Sequence, residues 1–125
     1  MSGGKSIPDL YEEGIRLFNE GRFFECHEVW EEAWKRSVGA EKLYYQGMIQ
    51  AAVAILHVRR GNIEGARRLY AKARSKLDDL PAEYSGIALG EFRDDIAKFF
   101  AAAFADKKQP LTPAPKVRRL GAASR

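Results

Sequence analysis

Two residues able to do acid–base or metal chemistry stand one helical turn apart in HEVWEEAW, residues 27–34. His27 and Glu31 project from the same strip of a helix, where an imidazole and a carboxylate converge closely enough to share a metal ion or a proton. Further along, Gln46, Gln50 and His57 fall within about 40° of one another on the wheel of an otherwise apolar helix. Polar groups there need partners, because a buried donor or acceptor left unsatisfied costs about 1–3 kcal/mol. The two strips predict a cleft between helices two and three that receives a small ligand or a protein segment. Its lining would be His27, Glu31, Trp34, Gln46, Gln50 and His57, ringed by Trp30, Trp34, Tyr44 and Tyr45. The competing readings of the same residues are a structural network, in which they satisfy one another, and a metal-dependent hydrolase-like enzyme. The latter would use His27, Glu31 and His57, the one sensible set of three ligands for a divalent metal.

A third chemistry is electrostatic. Residues 59–76 carry seven Lys or Arg against Glu64, and residues 106–125 carry six against Asp106, within a chain of net charge +4. A basic fourth helix and a basic tail could track the phosphates of a nucleic acid, or form a solvated face that balances the glutamates of helix two. No nucleic-acid motif accompanies them. A glycine-rich phosphate loop, a cysteine pair, a nucleophile elbow and HExxH are also missing, and the single Cys26 reads as a small core residue.

The elements that must position these groups read as helices separated by glycine and proline, with no alternating β-branched run. The class expected is all-α, a compact antiparallel bundle of about five helices built from helical hairpins. Helix one follows Ser6, an N-cap with Asp9 three residues on and Pro8 in the first turn, and stops near Gly21. Helix two spans about Phe23 to Arg36, with Phe23, Cys26, Trp30, Ala33 and Trp34 along one side. Helix three, from about Glu41 to Arg60, is apolar around most of its circumference, as a central helix should be. Gly61 and Asn62 form a stop and a fresh N-cap, and helix four runs to about Leu77, before the Leu80-Pro81 step. Helix five carries Leu89, Phe92, Ile96, Phe99 and Ala103 at spacings of three and four. Gly14, Cys26, Trp30 and Ala33 are echoed by Ala54, Ala66, Tyr70 and Ala73, a pattern read as closely packed hairpins in preference to a repeat array.

With 125 residues, 46% hydrophobic and 30% charged, the chain accommodates one globular core. The boundaries expected are a short segment 1–6, a helical domain 7–105 and a disordered basic Pro-containing tail 106–125. The start, MSGGKSIPDL, lacks the features of a secretory signal, and the longest nearly apolar stretch, 47–58, is well short of the roughly 20 residues that span a bilayer. A cytoplasmic chain without a membrane partner is expected, with homo-oligomer formation left open.

The segments FNEGRFFECHEVWEEAW and YYQGMIQAAVAILHVRRGNIEGARRLYAKARSKL, followed by Tyr84-Ser85-Gly86-Ile87, resemble the small bacterial and archaeal helical proteins grouped as domain of unknown function 309. The likeness covers about residues 8–100. It implies an all-helical bundle and no established activity or cofactor. The polar residues that the resemblance marks are His27, Glu28, Glu31, Gln46, Gln50, His57 and Asn62.

Overall fold

The computed structural model describes residues 4–105 and 113–121, which fold as two units divided after Leu77. The class is all-α: the described residues form five helices and one pair of two-residue strands. The first unit holds α1 (Ile7–Asn19), α2 (Phe23–Arg36), α3 (Gly39–Arg59) and α4 (Ile63–Leu77), each packed on the next. Turns of two or three residues join them, so neighbours run antiparallel. The Ser6 side chain caps α1 by accepting from the Asp9 N–H at 3.1 Å, while the Asp9 carboxylate accepts from the Ser6 N–H, the reciprocal box expected from the sequence. Helix α3 begins two residues earlier than expected, because Gly39 takes φ +64° and lets the chain turn directly out of Val38.

The two hairpins α1–α2 and α3–α4 are built alike at an offset of forty residues. Helices end at Asn19 and Arg59, and the next begin at Phe23 and Ile63. Gly21 and Gly61 adopt φ +79° and +81°, and their N–H groups donate to Phe18 O and Val58 O at 2.9 and 3.0 Å. Arg22 N–H donates to Leu17 O and Asn62 N–H to His57 O, completing the same left-handed helix stop twice. The echo in the sequence is thus a repeated turn and repeated packing positions: Cys26, Ala33, Ala54, Ala66 and Ala73 are all fully buried.

Aromatic side chains fill the space between α1, α2 and α3. Trp30 is fully buried and donates its indole N–H to Tyr11 O at 3.2 Å. Tyr11 and Tyr44 share a buried hydroxyl–hydroxyl hydrogen bond of 2.6 Å, and Tyr45 packs edge-on against Tyr11. Burial, helped by Glu41, Tyr11 and Glu12, holds the Tyr45 phenol well above its ordinary pKa. Cys26 is sealed beside this cluster, and burial pushes its thiol far up despite a hydrogen bond with the Phe18 backbone.

In the second unit, Ser85 and Gly86 both take positive φ, +50° and +80°, the signature of a type I′ turn. It pairs β1 (Glu83–Tyr84) with β2 (Ile87–Ala88), ahead of α5 (Leu89–Ala105). Part of the expected disordered tail lies here. Arg119 bridges to Ile87, Ala88 N–H donates to Arg118 O, Leu120 N–H donates to Gly86 O, and Val117 is buried. The Arg118 guanidinium grips both oxygens of Glu91 and holds that carboxyl below its usual range. Disorder is therefore not what residues 113–121 show: main-chain pairing, one apolar anchor and one ion pair order a stretch that has no apolar periodicity. The remainder of that expectation, 106–112 and 122–125, lies outside the described residues.

Gly14 faces Trp30 so closely that a Cβ there would fall 1.9 Å from the indole nitrogen. Gly14→Ala should therefore destabilise the fold by about 1–3 kcal/mol through overpacking, although alanine is the better helix former by about 1 kcal/mol. Chemical unfolding followed by circular dichroism checks the sign.

Candidate functional site

The polar strip of α3 lies on the side facing α4. At one end His57 meets Asn62, with 3.3 Å between His57 Nδ1 and Asn62 Nδ2. At the other end Gly47 lies against Leu77 and Lys76, where a Cβ would come within 2.9 Å of Leu77 and 3.0 Å of Lys76. Gln50 stands between these two contacts, one turn from Gly47 and two from His57. Gln46, Gln50 and His57 are all half-buried, as are Val53 between them and Ile49 beside them. The Gln50 Oε1 atom is buried and accepts no hydrogen bond among the described residues.

The Asn62 contact fixes a proton. Asn62 Oδ1 accepts the Gly65 N–H at 3.0 Å as the N-cap of α4, so its amide nitrogen faces His57. An amide NH₂ only donates, so His57 Nδ1 must accept. The neutral imidazole consequently carries its proton on Nε2, with that N–H free of any partner among the described residues. Gly65 is required for this arrangement, because a Cβ there would meet the Asn62 amide at 2.6 Å.

On α2, His27 Nε2 and Glu31 Oε1 are 3.9 Å apart, and both side chains remain substantially exposed, at 30% and 44%. Phe24, half exposed, tilts toward the His27 ring. Trp34 is covered by Lys42, whose ammonium stands 4.2 Å over the ring and donates to Trp34 O.

The six residues expected to line one cleft thus form two sets: His27 with Glu31 beside Trp34, and Gln46, Gln50 and His57 on α3. No hydrogen bond joins the sets among the described residues. Nor is the expected metal trio assembled. Among the described residues no three His, Cys, Asp or Glu side chains stand close enough to hold a metal ion, and His57 turns Nδ1 to Asn62. The aromatic ring is also placed differently: Trp30, Tyr44 and Tyr45 are buried toward Tyr11, since their polar tips or ring edges find partners there, and the aromatic ring beside His27 is Phe24. Tyr11 went unremarked in the sequence, although Tyr11, Gly14, Ile15 and Phe18 continue one helical stripe. Gly47 and Gly65, the close-approach positions, leave no comparable trace.

No helix among the described residues is long and apolar enough to cross a membrane. Of the tail's cations, Arg118 is paired with Glu91, and Arg119 donates to Gly86 O.

Asn62→Asp tests the proton assignment. The carboxylate keeps the cap on Gly65 but accepts where the amide donated, so the proton of neutral His57 should move from Nε2 to Nδ1. Long-range ¹H–¹⁵N correlation spectra of the two proteins report the two tautomers directly.

Residues 11–69, which cover most of α1, all of α2 and α3 and the first half of α4, match the family described as Domain of unknown function (DUF309). Uncharacterized protein YpuF of Bacillus subtilis (strain 168) is 44% identical over 68 residues, covering 53% of this chain and 39% of that protein. An uncharacterized protein of Aquifex aeolicus (strain VF5) is 33% identical over 86 residues, covering 68% of this chain and 26% of that protein. The chain therefore matches well under half the length of either relative. His27, Glu31, Gln46, Gln50, His57 and Asn62 all fall inside the segment that matches the DUF309 family, residues 11–69.

Proposed function

We propose that the first unit is a binding module whose ligand or partner segment docks along the α3 strip of Gln46, Gln50 and His57, with His27, Glu31 and Trp34 of α2 as a flanking set. The observation that carries this reading is the buried Gln50 Oε1 without a hydrogen bond. An orphaned acceptor costs about 1–3 kcal/mol, which a merely structural position would shed by becoming apolar. The forty-residue offset between hairpins shows what such a position holds elsewhere in the same fold. Gln50 corresponds to Leu10 and His57 to Leu17, and both leucines are buried. The second hairpin has exchanged two core leucines for hydrogen-bonding side chains.

The chemistry offered is neutral and complementary. Gln50 supplies an acceptor and His57 a donor at Nε2, about two turns apart along the helix, or roughly 10 Å. In its buried position the Gln50 oxygen has no hydrogen bond to lose, so rotating the amide outward toward a ligand breaks nothing. The terminal torsion of glutamine is soft enough to permit this.

Gln50→Leu should stabilise the free protein by about 1 kcal/mol, raising its melting temperature by roughly 4 °C. Thermal-shift screening of small molecules and short peptides supplies the binding half of the test. A ligand at 100 times its dissociation constant adds about 2.7 kcal/mol to the wild type. That shift should vanish in Gln50→Leu. Lower stability in the variant, with ligand shifts retained, would make Gln50 a structural residue and end the reading.

A further inference from the structure

We propose that the edge formed by α3 and α4 takes an extended acidic segment of a partner protein, an inference that rests on the α3 strip being a docking site and names its occupant. The helices are antiparallel, and they touch at His57–Asn62 near one end and at Gly47–Lys76 near the other. Gln50 therefore lies at the level of the middle of α4, where Leu69 and Lys72 stand. That wall of the edge is cationic. Arg68 and Lys72 are exposed one turn apart, and Lys76 follows one turn later, half-buried, with its ammonium donating to Lys72 O. No acidic side chain is paired with these three among the described residues.

The hairpin comparison shows that this charge is a property of the second hairpin alone. Arg68 and Lys72 occupy the positions of Glu28 and Glu32 in α2, which are exposed acids. Along the α3–α4 edge, relative to the first hairpin, two leucines have become hydrogen-bonding groups and two carboxylates have become cations. A ligand that answers both changes carries negative charge and a row of amide donors and acceptors.

The spacings match an extended peptide. Cations four residues apart on a helix recur at about 6 Å. Alternate side chains of an extended strand recur on one face at about 6.6–6.8 Å, close enough for flexible Arg and Lys side chains to follow. The roughly 10 Å between Gln50 and His57 corresponds to about three residues of such a strand, whose main chain supplies an N–H to Gln50 and a C=O to the His57 Nε2–H. A nucleic acid fits less well. Its stacking platforms are missing, since Tyr70 lies under the Arg74 guanidinium and Trp34 under Lys42. Phosphates at about 3.4 Å per strand are also denser than the cations.

The experiment selects octapeptides from a displayed random library with the full chain, and measures the winners by fluorescence anisotropy. The peptides expected are rich in Asp and Glu at alternate positions, and their affinity should fall about tenfold or more in Arg68→Glu/Lys72→Glu and in Gln50→Leu. The milder Arg68→Gln/Lys72→Gln should show an intermediate loss, and melting curves verify that each variant is folded. Selection of no peptide, selection without acidic enrichment, or tighter binding of a twelve-residue oligothymidylate would overturn the proposal. Peptides that depend on Gln50 but ignore both charge variants would overturn the acidic class alone and leave docking on α3 intact. Binding indifferent to all the variants would overturn both.

Discussion

The missing side chain at position 14 governs how the first unit goes together. It lets α1 approach α2 until the Trp30 indole lies against the helix backbone, where its N–H reaches Tyr11 O. Tyr11 is thereby held to present its hydroxyl to Tyr44, and that buried contact fixes the rotation of α3 about its own axis. With Tyr44, Met48 and Ile55 turned inward, the residues on the far side of the wheel are Gln46, Gln50, Val53 and His57. Aromatic packing, two buried hydrogen bonds and one small residue thus decide which polar groups face away from the core. The edge that carries chemistry is the complement of the edge that carries stability.

Using one turn twice gives the protein an internal control. The stops at Gly21 and Gly61 have the same hydrogen bonds, so differences between the hairpins are differences of side chain on a common backbone plan. Paired core positions stay small or apolar, as Cys26 with Ala66 and Ile15 with Ile55 do. Four of the departures concern the polar strip and its turn: Leu10 against Gln50, Leu17 against His57, Arg22 against Asn62 and Glu25 against Gly65. The last two are linked, because the Asn62 amide occupies the space that any side chain at position 65 would need. A set of exchanges that depend on one another in this way is harder to attribute to drift than any single polar residue on a helix.

Local chemistry was legible in the sequence, and the pairing of faces was not. The Ser6 cap, the glycine stops and the grouping of Gln46, Gln50 and His57 all follow from short-range stereochemistry, which a linear pattern records. Which neighbour a strip meets depends on packing over tens of residues, and there the expected trio of His27, Glu31 and His57 is not assembled as a metal site among the described residues. The aromatic residues assigned to the expected cleft had a stronger claim elsewhere, since Tyr44 and Trp30 could satisfy their polar atoms against α1. The segment 113–121 eluded the sequence for a different reason. Its order comes from an open strand edge beside Ile87 and from Glu91, features of a distant part of the chain with no periodic signature.

The depth of Cys26 has a practical corollary. Its sulfur is shut away from water and holds its proton well above the ordinary thiol range, so thiolate-directed reagents find no nucleophile on the folded protein. The native chain behaves toward them as though it had no cysteine at all. A single cysteine placed at an exposed position such as Ala40 would be the sole reactive thiol while the fold persists, and labelling of Cys26 itself would register each opening of the core.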